Sequence, residues 1–114
     1  MPGPDTEDIL GRLGVVPSLP HSGSTVGISL TVLSGTWPIN ALRHPQQDGT
    51  CGWYIWAGEA LPAAADFFKP LHVEHVADWC PLIVPFLGLP PGWRVLLAPG
   101  QEEVWFDAEL LSVE

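Results

Sequence analysis

Positive charge is scarce in this sequence. Four Lys and Arg stand against thirteen Asp and Glu, a formal net charge of −9. The shortage argues against nucleic acid as a direct partner, because phosphate contacts are made by Lys and Arg. It argues equally against docking on anionic membrane surfaces. Cysteine is nearly absent. Cys51 and Cys80 are too few for a disulfide framework, and two free thiols in a reducing compartment are expected. Long apolar runs are missing too. The longest strongly apolar, charge-free stretch, Trp79–Trp93, carries four prolines and falls short of the roughly 20 residues a bilayer requires. The first ten residues carry Asp5, Glu7 and Asp8 and have neither a basic nor an apolar leader pattern, so a cytoplasmic protein is expected. No glycine-rich phosphate loop, Gly-x-Ser-x-Gly elbow or dinucleotide fingerprint occurs, and no cofactor is expected.

What is present is a folding chain. Hydrophobic residues make up 46% and charged residues only 15% of 114 positions, which excludes a disordered tail. The length suits one domain spanning 1–114. Thirteen prolines and twelve glycines predict short elements joined by many turns.

The chain is organised around Cys51–Glu59, Cys-Gly-Trp-Tyr-Ile-Trp-Ala-Gly-Glu. Aromatic and β-branched residues suit a pleated surface, so the stretch reads as a strand. Trp53, Ile55 and Ala57 then face one way, Tyr54 and Trp56 the other. Neither face is polar, which predicts a central strand covered on both sides, with Glu59 at its exit.

Residues 1–24 are a loosely ordered extension with a short helix over Glu7–Leu13, capped by Asp5 or Thr6. Residues 25–111 are the core. Val26, Ile28, Leu30 and Val32 alternate with Gly27, Ser29 and Thr31, predicting a strand with one wet face in an antiparallel setting. Trp37–Arg43 reads as extended or irregular, and His44–Thr50 as a polar loop. Ala60–Pro70 is a loop, with a helical turn near Ala63–Asp66. Leu71, His75 and Trp79 at helical spacing predict a short helix over Leu71–Trp79. Pro81–Leu87 is a second short helix capped by Asp78 or Cys80, kept short or 3₁₀ by Pro85. Trp93–Ala98 and Glu103–Asp107 form a hairpin around Pro99-Gly100. Its register groups Val95, Leu97, Val104 and Phe106 on one face and sets Arg94 near Asp107. The fold class is α+β, with a mostly antiparallel sheet of about four strands and two or three short helices.

The densest group of ligand-type residues is His72, Glu74, His75 and Cys80. Zinc takes His nitrogen and Cys thiolate. Yet His-Val-Glu-His matches neither the zincin motif nor its inverted form, and no Cys-x-x-Cys completes it. Cys80 at a helix start could be an activated thiol, but no third residue is named to orient a base, and cysteine is more often a small buried hydrophobe. The reading assigns no catalytic and no metal-ligating residue. Glu102, Glu103, Asp107, Glu109 and Glu114 make an acidic strip without a cation, which suits a basic partner or a charged sheet edge. An exposed tryptophan beside acids would mark a binding surface.

From Trp37 to Leu111 the chain resembles the immunity-protein thirty-three-like family of small bacterial proteins from polymorphic toxin systems. The likeness rests on Gly52-Trp53-Tyr54-Ile55-Trp56-Ala57-Gly58-Glu59, Asp66-Phe67-Phe68 and Pro70-Leu71-His72-Val73-Glu74-His75. It continues through Cys80-Pro81, Leu87-Gly88-Leu89-Pro90-Pro91-Gly92-Trp93-Arg94 and Glu103-Val104-Trp105-Phe106-Asp107. The resemblance implies neutralisation of a toxin by binding. The expected function is therefore stoichiometric occlusion of a basic protein partner, a cognate toxin domain, and not catalysis. Glu59, Asp66, His72, Glu74, His75, Glu103 and Trp105 are the expected contact residues. A metal-binding module or hydrolase-like enzyme using His72, His75 and Cys80 is the alternative.

Overall fold

A strand with apolar side chains on both faces is stable only with neighbours on both edges and cover on both sides. The computed structural model, which describes residues 14, 18–20, 23–45, 50–58 and 68–111, supplies all of these. Six strands form one sheet: β1 Thr25–Ile28, β2 Ile39–Arg43, β3 Thr50–Ala57, β4 Lys69–His72, β5 Trp93–Ala98 and β6 Gln101–Phe106. Their order is β4-β1-β3-β2-β5-β6. β3 is interior, parallel to β1 and antiparallel to β2. The remaining neighbours all pair antiparallel.

Trp53, Ile55 and Ala57 enter the main core, beneath Val76, Cys80, Ile83, Phe86 and Leu89. The Trp53 side chain is fully buried and its indole N–H donates to the Leu87 carbonyl at 3.0 Å. A buried aromatic removes roughly 150–250 Å² from water, about 4–6 kcal/mol of transfer free energy at 25 cal/mol per Å². On the other face Trp56 joins Leu42 and Leu110, with Tyr54 and Phe68 packed against them. Phe68 meets Tyr54 and Trp56 edge-on at 5.2 and 6.0 Å.

Gly52 shows why a glycine stands near the start of this strand. Its φ is +93°, and a Cβ there would lie 1.9 Å from the His44 carbonyl oxygen. The Gly52 carbonyl in turn accepts from the His44 N–H at 2.9 Å. Close backbone approach and positive φ both require the missing side chain.

Several expectations are corrected. The sheet has six strands, not about four, because two stretches read otherwise are strands. Trp37–Arg43 contains β2, whose Asn40 and Arg43 disguise it in the sequence. Leu71–Trp79 is not one helix. It divides into the end of β4, a 3₁₀ turn at Val73–His75 and one α-helical turn at Val76–Trp79. Leu71 sits opposite Val26, and its helical spacing from His75 and Trp79 is coincidental. Pro70 is tolerated because β4 is an edge strand. The strand expected over Val26–Val32 stops at Ile28. The Ser29 hydroxyl accepts from the Thr31 N–H at 3.1 Å and starts a 3₁₀ turn at Leu30–Leu33. The expected wet face of β1 is not wet at Gly27, where a Cβ would lie 2.7 Å from the Tyr54 ring. Pro81–Phe86 is wholly 3₁₀, and Cys80 precedes it without a side-chain cap.

The hairpin matches its predicted register, with Val95 opposite Val104 and Arg94 opposite Trp105. Arg94 Nη1 donates to Asp107 Oδ2 at 3.1 Å. The expected helix over Glu7–Leu13 and the turn near Ala63–Asp66 lie outside the described residues.

Candidate functional site

The register gives the sheet two distinct ends. Thr25 lies opposite both Thr50 and His72, so His72 belongs to the end where β3 begins. Ile28 lies opposite Ile55 and Lys69, and Ile39 opposite Ala57 and Leu97. β4 therefore carries the chain back from the Ala57 end, and His72, Glu74 and His75 do not lie at the exit of β3. Those three residues sit at the opposite, Thr50 end. They are exposed and near one another: the His72 and His75 rings are 6.4 Å apart, His75 Nδ1 lies 3.6 Å from Asp78 Oδ2, and Glu74 Oε1 accepts from the Gly23 N–H at 3.1 Å.

Glu103 and Trp105 lie on β6, the other edge of the sheet. Five strand spacings separate the edges, about 24 Å. The five expected contact residues that are described, His72, Glu74, His75, Glu103 and Trp105, thus do not form one cluster. Trp105 is 38% exposed, with the Arg94 guanidinium carbon 5.5 Å from its ring centre. Glu59 and Asp66 lie outside the described residues.

Cys80 is buried, and burial pushes its thiol pKa up. The backbone N–H groups of Ile83 and Leu82 act weakly the other way. Desolvation outweighs the donors at the turn's start, so the neutral thiol is favoured. Among the described residues no group of three or more His, Cys, Asp or Glu is placed to hold a metal ion.

Arg43 is the residue that sequence reasoning missed. It is 3% exposed. Its Nε–H donates to the Cys51 carbonyl at 2.9 Å, and its Nη1 donates to the carbonyls of Ser18 and Leu89 at 2.6 and 2.7 Å, with Leu87 at 3.4 Å. The guanidinium carbon lies 5.8 Å from the centre of the Trp53 ring. Burial pushes its pKa down, with the nearby Cys51 thiol acting the other way, but a guanidinium remains cationic at neutral pH. Arg43 thus joins the segment before β1, the start of β3 and the 87–89 loop. A cation at the end of a short apolar stretch looks like a surface residue, so no signal in the sequence marked it.

The described cations leave little exposed positive charge. Arg43 is buried, Arg94 is bound to Asp107, and Lys69 is exposed on β4. Of the eight exposed large apolar side chains among the described residues, Leu30, Leu33, Trp37 and Leu82 lie at the Ala57 end, and Leu19, Trp105, Phe106 and Leu111 lie elsewhere. The Leu30–Leu33 turn is pinned at the Ala57 end, with Ser29 N–H donating to the Ile55 carbonyl and Ala57 N–H to Thr31 Oγ1, both at 2.9 Å. That pinning leaves Leu30 and Leu33 56% and 55% exposed. Trp37 and Leu82, 43% and 53% exposed, wall an apolar groove of about 560 Å³ floored by Phe86 and Leu97, with Glu102 at its rim. Contiguous exposed apolar surface is a mark of interaction sites.

The fold defines the chain as a small α+β domain on a single mixed sheet. The chain belongs to the Imm33-like domain family, whose model matches residues 5–107. The match starts well before Trp37, where the resemblance read from the sequence begins. No curated protein and no solved structure matches the chain. Among the described residues no helix is long and apolar enough to cross a membrane.

Proposed function

We propose that this protein is an immunity-type binding protein that neutralises a bacterial toxin or effector domain by stoichiometric occlusion. The observation that carries the proposal is the family match over residues 5–107. The family is named for an immunity protein, and occlusion needs a surface, not a set of reacting groups. The partner is a protein with a basic face. A net charge of −9 with few exposed cations steers such a face inward and speeds encounter. Exposed aromatic and aliphatic side chains then set the residence time. The protein works in the cytoplasm, where its thiols stay reduced.

Co-expression tests the reading. Cells carrying the toxin domain encoded beside this gene survive when this protein is made in at least equal amount, and the two co-purify one to one. Absence of rescue, or rescue by sub-stoichiometric protein acting on the toxin as an enzyme, refutes it.

A further inference from the structure

The groove at the Ala57 end has a shape and an electrostatic setting that select its occupant. Its floor, Phe86 and Leu97, is buried, and its walls, Trp37 and Leu82, are exposed. Pro81, Pro85 and the Pro99-Gly100 turn frame it. Proline fixes φ, so these walls lose little conformational freedom when a partner is bound. An aromatic or branched apolar side chain fits such a cleft. Among the described residues the lining contains no Lys or Arg and one charge, Glu102, set across the hairpin from Leu97. Glu103 follows on the same edge strand, also exposed. A second copy of this chain would bring like charge to the rim, which disfavours self-association.

Resting on the toxin-binding reading, we infer that this groove receives an apolar side chain of the partner that is flanked by Lys or Arg. The apolar group buries against Trp37 and Leu82, and the flanking cation lies against Glu102. The partner's footprint is therefore centred on the Ala57 end of the sheet and not on His72, Glu74 and His75.

Calorimetric titration of the purified toxin domain into wild-type protein and variants tests this at low and high salt. Leu82→Asp and Trp37→Ala are each expected to weaken binding about 30-fold, the scale of truncating an interface anchor. Glu102→Lys is expected to weaken it at low salt and flatten the salt dependence. All three change exposed side chains, and unchanged thermal melts verify folding. If the wild type does not bind, the toxin-binding reading fails and the inference with it. If the wild type binds and Leu82→Asp and Trp37→Ala bind equally well, the inference alone is overturned. The same holds if His72→Ala with His75→Ala weakens binding while Leu82→Asp does not.

Discussion

Replacing Arg43 by Met tests the claim that one buried cation joins three parts of the chain. Met keeps much of the aliphatic length and removes every donor. Three carbonyls, of Cys51, Ser18 and Leu89, lose a charged donor at 2.9 Å or less. The Leu87 carbonyl keeps the Trp53 indole N–H at 3.0 Å. Leaving a buried acceptor unpaired costs roughly 1–3 kcal/mol; the Cys51 and Leu89 bonds are buried and the Ser18 bond only part-buried, so the gross loss is about 3–7 kcal/mol. Against this, the variant no longer desolvates a guanidinium, which returns several kcal/mol. A net destabilisation of about 2–4 kcal/mol is expected, a large share of the 5–15 kcal/mol that holds a typical domain. Urea unfolding measures it directly, as a lower midpoint with an unchanged slope. At about 4 °C per kcal/mol the melting temperature falls roughly 8–16 °C. Arg43→Lys keeps the charge but not the planar fork, and recovers only part of the loss. Hydrogen exchange adds a local readout: the Ser18 N–H, bound to the Gly88 carbonyl at 2.8 Å, exchanges faster when Arg43 no longer holds the Ser18 carbonyl. A change under about 0.5 kcal/mol for Arg43→Met, the range of ordinary surface substitutions, would refute the reasoning.

Three further predictions follow from the core. Gly52→Ala places a Cβ against the His44 carbonyl at a positive φ and is expected to cost about 3 kcal/mol or more; a denaturation midpoint within error of wild type would contradict that geometry. The Cys80 thiol has a raised folded pKa, so its contribution to stability is complete below the unfolded value of 9.0 and is lost as pH rises through the folded value. Stability therefore declines at alkaline pH, less so in Cys80→Ala, and native protein at pH 7 resists alkylation by iodoacetamide at this site; rapid labelling would show the thiol to be accessible. The Trp56 indole N–H is buried without a hydrogen-bond partner among the described residues, so Trp56→Phe removes an uncompensated donor and offsets part of its cavity. A net cost under about 1.5 kcal/mol is expected, against 3–5 kcal/mol for Trp56→Ala, and equal losses in the two variants would disprove it.

Much of the architecture was legible in local pattern. Cys51–Glu59 declared a strand covered on both faces because Trp53, Ile55, Tyr54 and Trp56 leave no polar side, and β3 is interior with a cluster on each face. The hairpin was legible because Pro99-Gly100 admits few turn geometries, and register then follows from alternation. The acidic, cation-poor character was visible in composition. The family was reached through the likeness of particular blocks, Gly52–Glu59 and Pro70–His75 among them, and its model matches residues 5–107.

Tertiary structure decided the rest. Leu71–Trp79 has helical spacing, and only pairing with β1 makes its start a strand. Val26–Val32 alternates like a strand, and only the Ser29 hydroxyl and the end of β3 turn it aside. The contact residues expected from local chemistry scatter because sheet order, which no local pattern encodes, puts β4 and β6 on opposite edges. The groove is invisible in sequence for the same reason, since Trp37, Leu82 and Leu97 come from three separate stretches. Arg43 is the sharpest case. Its residue type and neighbours read as surface, and it is buried because backbone carbonyls from three distant segments converge on its guanidinium. Local pattern determined which segments are apolar and which can turn; long-range hydrogen bonding and strand order determined which of them meet.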